Sequence, residues 1–294
     1  MSALQVPPQP EGRLVDVGDA AYHVIELGSG PPALLLHGGG PGSSGWTDFG
    51  GVSQLFAQER RCVLVDLLQY GRSTKTPVSG PRWSFHARKL CDLLDALGFA
   101  QADFICNSWG GSMALCLAGQ YPTRTRSVSV TGCVPVVAAP EELIAGVQRG
   151  RAGRDEYYGG EGPTPEKMRA LMGELEWFEE ARIPDSTVEL RHRQSLDKEE
   201  MARSAHSDEG RGDVEDLTRA LRQIRCPVLF AWGMFDPFVP PEYALMLARL
   251  VEHGQVHVFD RASHHPQEEY PAAYHQVVTA FLAGVADNDG KASR

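Results

Sequence analysis

The chain has 294 residues, 42% of them hydrophobic and 22% charged, and a formal net charge of −10 at pH 7. This is ordinary globular usage, which excludes a disordered chain or a fibrous repeat. The acidic balance, with no sustained Lys/Arg block, argues against a nucleic-acid partner, and no apolar run nears the roughly 20 residues of a membrane span.

The opening residues, MSALQVPPQPEGR, lack a positively charged start followed by an apolar block, so no secretion signal is read and a cytoplasmic location is expected. Residues 13–17 and 22–26 flank Gly18-Asp19, a turn signal that predicts an antiparallel hairpin. Short runs rich in Val, Leu, Ile and Phe follow at 33–36, 62–67, 103–106, 127–131, 228–232 and 256–259, separated by helical patterns such as 85–97, which ends at Gly98, and 109–119. Continuous apolar strands alternating with helices predict an α/β fold with a mostly parallel sheet covered on both faces.

Beyond residue 137 the rhythm changes. Charge density rises and helical stretches at 165–177 and 186–193 dominate, the latter with a Ser186-x-x-Glu189 capping box. Residues 138–218 are read as a helical cap inserted between two strands of a core formed by 1–137 and 219–294. Within the cap the Gly/Arg-rich stretch 149–162 is expected as a flexible loop, and the tail 287–294 as disordered. The six cysteines are scattered without a C-x-x-C pair, which favours buried reduced thiols over zinc or redox exchange.

The chemistry gathers at strand ends. Residues 34–46 read LLLHGGGPGSSGW, a strand entering a glycine run whose backbone N–H groups can face a developing oxyanion. A phosphate cradle fits poorly, because the Lys-Ser/Thr of a P-loop is missing. Strand 103–106 then runs through Asn107-Ser108-Trp109-Gly110 into a helix, the strand–turn–helix setting of a nucleophile elbow, although Cys106 stands where G-x-S-x-G has glycine. A serine nucleophile needs a base, and the base an orienting carboxylate. Strand 228–232 leads to Asp236 and strand 256–259 to His264-His265, giving the order Ser…Asp…His at the carboxyl edge of a parallel sheet.

On these residues the chain resembles the α/β-hydrolase superfamily over nearly its full length. Within it the chain is similar to the meta-cleavage-product hydrolases, which break carbon–carbon bonds in aromatic and steroid ring degradation. The narrower likeness rests on His37-Gly38-Gly39-Gly40-Pro41-Gly42 with Trp46 following, Asn107-Ser108, Phe238-Val239-Pro240, and Arg191 in the insertion. The resemblance implies a triad of Ser108, Asp236 and His264, with His264 preferred over His265 because it leaves the family's H-x-P-Q spacing. It implies oxyanion donors at Gly39 and Trp109, with Asn107 and Arg191 at the dienoate end of the substrate. Gly38, Gly40, Asp48, Phe238, Val239 and His265 complete the expected substrate-binding set. It further implies a small-molecule substrate, a 2-hydroxy-6-oxo-dienoate or related vinylogous diketone, with no cofactor and no metal, and leaves room for a homodimer.

Three exchanges depart from the family: Cys106 for Gly, Asp48 for Asn, and His265 for Trp. A carboxylate at Asp48 repels an anionic substrate unless it is protonated or turned away. An ester or lactone hydrolase, a non-hydrolytic cyclase or lyase using the same pocket, and a ligand-binding receptor therefore stand as alternatives. For Arg191, a solvated helix residue near Glu189 is the competing reading, with Arg193 as a rival in the substrate-binding role.

Overall fold

The computed structural model describes residues 6–136, 141–199 and 210–292. Strands β1 (Arg13–Asp16) and β2 (Ala21–Leu27) form the expected antiparallel hairpin, followed by β3 (Pro32–Leu36), α1 (Gly45–Phe56) and β4 (Arg61–Val65). Next come β5 (Val78–Pro81), α2 (Arg82–Ala96), β6 (Ala102–Asn107), α3 (Ser108–Gln120) and β7 (Thr125–Thr131). Helices α4 (Glu141–Tyr158), α5 (Pro165–Leu175) and α6 (Asp185–Ser195) and the short β8 (Arg211–Asp213) precede β9 (Val228–Gly233) and β10 (Gly254–Phe259). The eight-stranded sheet has the order β1-β2-β4-β3-β6-β7-β9-β10, antiparallel among β1, β2 and β4 and parallel from β4 onward.

Burial on both faces explains why the strands read as unbroken apolar runs. Successive side chains point to opposite sides of a sheet. Accordingly, Leu34, Leu36, Val63, Val65, Phe104, Phe230 and Trp232 pack into one buried cluster. Their neighbours Ala33, Leu35, Cys62, Leu64, Ile105, Leu229 and Ala231 pack into the other. Helices α2 and α3 cover the first face, while α1 and the helix Pro271–Ala292 cover the second. Gly98, at φ +75°, ends α2 in the left-handed conformation that glycine adopts without steric cost.

Three local expectations fail. Residues 149–158 belong to α4 instead of a loop. Helix α6 begins at Asp185 after Pro184 and has no side-chain cap, so the Ser186–Glu189 box does not form. The last helix continues to Ala292, past the point where the tail was expected to lose order, and residues 293–294 lie outside the described residues. The insertion also contributes β8, which pairs in parallel with β5 and so ties it to the sheet-bearing half. The boundary expected at 137/138 lies outside the described residues. Among the described residues no helix is long and apolar enough to cross a membrane.

A contact that positions the site lies at the start of α3. A Cβ on Gly110 would stand 2.4 Å from the Leu36 carbonyl oxygen and 2.6 Å from Leu36 Cβ, so the helix sits against β3 at a distance only glycine allows. Gly110→Ala is expected to lower unfolding free energy by about 2 kcal/mol or more in urea titrations, the range of core overpacking. Unchanged stability would mean that the two backbones can separate freely.

Candidate active site

Strand β6 delivers Ser108 to the sheet edge in a left-handed backbone conformation, φ +48°. That conformation costs an L-residue about 1–2 kcal/mol, and it persists only where the surroundings impose it. Here Gly110 N–H donates to the His37 carbonyl at 3.1 Å and fixes the first turn of α3 to the end of β3.

The glycine loop after β3 is held from three sides. His37 Nε2 accepts the Leu67 N–H at 2.9 Å, so its proton sits on Nδ1 and is donated to the Gly38 carbonyl at 2.6 Å. Burial holds this imidazole below its usual pKa, in keeping with a neutral ring. Asp48 accepts the Gly38 N–H at 2.9 Å, and the Tyr70 hydroxyl donates to the Gly39 carbonyl at 3.1 Å. Gly38 therefore spends its N–H inside the protein. Among the described residues no backbone carbonyl accepts the N–H of Gly39, and Trp109, the second residue of α3, has no intrahelical acceptor for its own.

The other two expected residues meet directly. His264 Nδ1 and Asp236 Oδ2 are 2.7 Å apart, and Asp236 Oδ1 accepts the N–H groups of Phe238 at 2.9 Å and Val239 at 3.0 Å. The carboxylate is thus fixed on both oxygens and can orient the imidazole. Phe238 lies against the His264 ring, with centroids 4.6 Å apart. Asn107 Nδ2 donates to the His264 carbonyl at 3.0 Å, linking the residue before Ser108 to the histidine loop. No hydrogen bond joins Ser108 to His264, a looseness common before substrate arrives. The Asn107 Oδ1 is buried with no hydrogen-bond partner among the described residues, and it faces the backbone of Gly38.

Sequence reasoning did not foresee the network beside this site. Arg191 is fully buried, and its Nη1 and Nη2 donate to the two oxygens of Glu176 at 3.0 and 2.8 Å, while Nε donates to the Pro41 carbonyl at 3.1 Å. Where the resemblance sets Arg191 against a substrate carboxylate, the structure sets it against Glu176. Arg193 is not among the buried residues. Asp48 lies 3.8 Å from Arg191 Nη1 and is held below its usual pKa: burial opposes its charge, but His265, Arg191, His37 and the Gly38 N–H outweigh it. It is an anion turned onto Gly38 and Thr47. His265 is buried as well, bonded to Glu268 and 3.9 Å from Glu176. Gly40 borders the same pair, since a Cβ there would stand 2.9 Å from Arg191 Nη2. No motif marks Glu176. A carboxylate just after a helix carries no sign of the arginine 15 residues on that it meets.

The alpha/beta hydrolase fold family matches residues 32–271. The chain is 32% identical to a 2-hydroxymuconate semialdehyde hydrolase of Pseudomonas putida, over 96% of this chain and 98% of the relative. The chain belongs to the α/β-hydrolase family, among the meta-cleavage-product hydrolases. It is also 30% identical to a 2-hydroxy-6-oxo-2,4-heptadienoate hydrolase of Pseudomonas putida, over 92% of this chain and 96% of that relative. The crystal structure of a meta-cleavage product hydrolase from Pseudomonas fluorescens superposes with a TM-score of 0.77 at 20% identity, covering 94% of this chain and 98% of that one, which establishes the fold. A Ser-Asp-His triad is typical of the family, and this chain is a hydrolase.

The buried network makes the hydrolase pH-sensitive. Burial alone would lower the His265 pKa, but Glu176, the hydrogen bond to Glu268 and Asp48 raise it to about 9. Burial raises Glu268 to about 7, with Asp48 adding to it against the pull of His265 and Arg191. Both values exceed those of the unfolded chain, so the folded state binds more protons. The contribution of Glu268 is full below about pH 4.5 and lost as pH rises through about 7, and that of His265 is full below about pH 6.5 and lost as pH rises through about 9. Between pH 6.5 and 9.5 the wild type is expected to lose roughly 1–3 kcal/mol that His265→Gln does not lose. Parallel thermal-unfolding profiles for the two proteins would rule this out.

Proposed function

We propose that the hydrolase uses Ser108 as nucleophile, His264 as base and Asp236 as the acid that orients it, to cleave a carbon–carbon bond in a 2-hydroxy-6-oxo-dienoate or related vinylogous diketone. The observation that carries this reading is the 2.7 Å bond between His264 and Asp236 beside a serine held at φ +48°. The named relatives of Pseudomonas putida support the reaction class.

With its proton on Nδ1 and given to Asp236, His264 keeps Nε2 free to take a proton from Ser108 or from water and to return it to the departing carbon. The N–H groups of Gly39 and Trp109 stabilise the oxyanion that forms on the attacked carbonyl. The dienol first becomes a ketone, so that Ser108 adds to the distal carbonyl and the carbon–carbon bond breaks with a delocalised dienolate as leaving group, after which water releases the acyl group from the serine. Phe238 and Val239 hold Asp236 through their backbone N–H groups, and the Phe238 ring walls one side of His264. We assign residues 138–218 the role of a cap over a core of 1–137 and 219–294. A cytoplasmic location and a homodimer belong to the same reading. The Arg191–Glu176 pair favours a second reading, hydrolysis of an ester or lactone through an acyl-enzyme on the same serine.

Ser108→Ala is expected to lower kcat by about 10³-fold or more, as removal of a triad nucleophile does elsewhere. Bleaching of a yellow dienol beside a panel of p-nitrophenyl esters measures both reactions. Ester turnover without loss of the dienol colour would overturn the carbon–carbon assignment, and an undiminished Ser108→Ala variant would overturn the nucleophile.

A further inference from the structure

Two guanidinium groups stand over one indole beside the expected nucleophile. The Trp109 ring, on the residue after Ser108, lies against the oxyanion loop: a Cβ on Gly39 would stand 3.0 Å from its Cγ and Cδ1 and 3.1 Å from its Nε1. The Arg82 guanidinium lies 4.8 Å from the ring centroid and that of Arg211 5.3 Å. Ser108, Trp109 and Arg211 each keep part of their surface open to solvent. One indole thus joins an expected oxyanion donor to an accessible cation.

The two arginines differ in what their N–H groups do. Arg82 is buried and serves the backbone of β8: its Nε donates to the Arg211 carbonyl at 2.7 Å and its Nη2 to the Gly212 carbonyl at 3.0 Å. On the other side of Arg211, the Gly210 carbonyl accepts the Val78 N–H at 2.7 Å and Gln69 Nε2 at 2.5 Å. The backbone that carries Arg211 is therefore fixed before and after it. Its guanidinium makes no hydrogen bond or ion pair among the described residues. Attraction to an aromatic ring acts through charge and consumes no N–H group, so the five donors of this fork stay available to an anion. Arg82 adds a second positive charge over the same ring. By contrast Arg191 is wholly buried, with Glu176 across its two Nη groups.

We propose that Arg211 determines specificity: its guanidinium, stationed over the Trp109 indole beside Ser108, binds a carboxylate of the substrate, that of the dienoate or one on the acyl side of the cleaved bond. The proposal rests on the reading that Ser108 is the nucleophile. A carboxylate matches the planar fork with two parallel charge-assisted bonds, whereas its methyl ester offers neither the charge nor the geometry.

Two matched pairs test it and separate the two ends: a 2-hydroxy-6-oxo-dienoate against its methyl ester, and p-nitrophenyl hemiglutarate against p-nitrophenyl valerate. The wild type is expected to favour the carboxylate by about tenfold or more in kcat/KM in at least one pair, and that pair identifies the end that Arg211 holds. Arg211→Gln is expected to lower the ratio about tenfold, mostly through KM, and Arg211→Lys, which keeps the charge without the fork, to restore part of it. Tryptophan fluorescence follows binding of sorbate and of glutarate, each against its methyl ester, without turnover. Arg211→Gln is expected to weaken one of the two anions about tenfold more than its ester. A preference for the neutral member in both pairs overturns the proposal. So does an Arg211→Gln variant that leaves both ratios unmoved, since a merely structural role would slow the charged and neutral members alike. If the wild type turns over none of the four substrates, the reading of Ser108 fails, and the binding comparison still decides the role of Arg211.

Discussion

The approach of α3 to β3 is the constraint on which the site depends. One hydrogen bond, from the Gly110 N–H to the His37 carbonyl, joins the two elements that carry the expected nucleophile and the expected oxyanion loop. It requires a helix start without a Cβ at Gly110, and it leaves Ser108 in a conformation an L-residue avoids. The cost is offset by burial on both faces of the sheet, where β3 and β6 are neighbours and their Leu36 and Cys106 pair in register. The same His37 whose carbonyl anchors the helix uses its ring to lock the loop that follows. Strand, loop and helix are therefore set by a single residue with three bonds.

Much of this frame was legible beforehand, for a physical reason. A parallel strand buried on both faces has to be apolar at every position, and such runs at 33–36, 103–106 and 228–232 have no other simple explanation. The misread segment 149–158 shows where that logic ends. Its glycines suggest a loop by propensity, yet α4 is a helix whose glycines, inside and just before that segment, are packing surfaces. A Cβ on Gly146 would meet the Phe238 carbonyl oxygen at 2.2 Å, one on Gly150 the Phe238 ring at 2.5 Å, and one on Gly153 the Leu175 side chain at 2.9 Å. Close approach between elements distant in the chain outweighs a propensity cost of about 1 kcal/mol per glycine.

The site divides in the same way. The placement of Ser108, Asp236 and His264 could be read because each follows a strand that the sheet topology brings to one rim. The partnership of Arg191 with Glu176 could not, since it joins α6 to the residue just after α5 and depends on how two helices of the insertion pack. Asp48 and His265, both read as pocket residues, prove to belong to this buried network. Their pairing with Arg191 and Glu268 is a three-dimensional fact that local sequence does not encode.

Cys106 has a different meaning from the other two exchanges. Its side chain is wholly buried in the cluster of Leu36, Phe104, Val130 and Cys133, on the face that α2 and α3 cover, and burial raises its thiol well above the ordinary pKa. A nucleophile elbow needs room where the helix backbone crosses the neighbouring strand, and in this chain that contact falls on Gly110 against Leu36. The position two before the serine lies within β6, where the side chain extends into a core that can be packed around a thiol. Glycine there is consequently one solution among several small residues, whereas at Gly110 the carbonyl of Leu36 leaves no alternative. The elbow tolerates the loss of its first glycine because the close contact is made by the second.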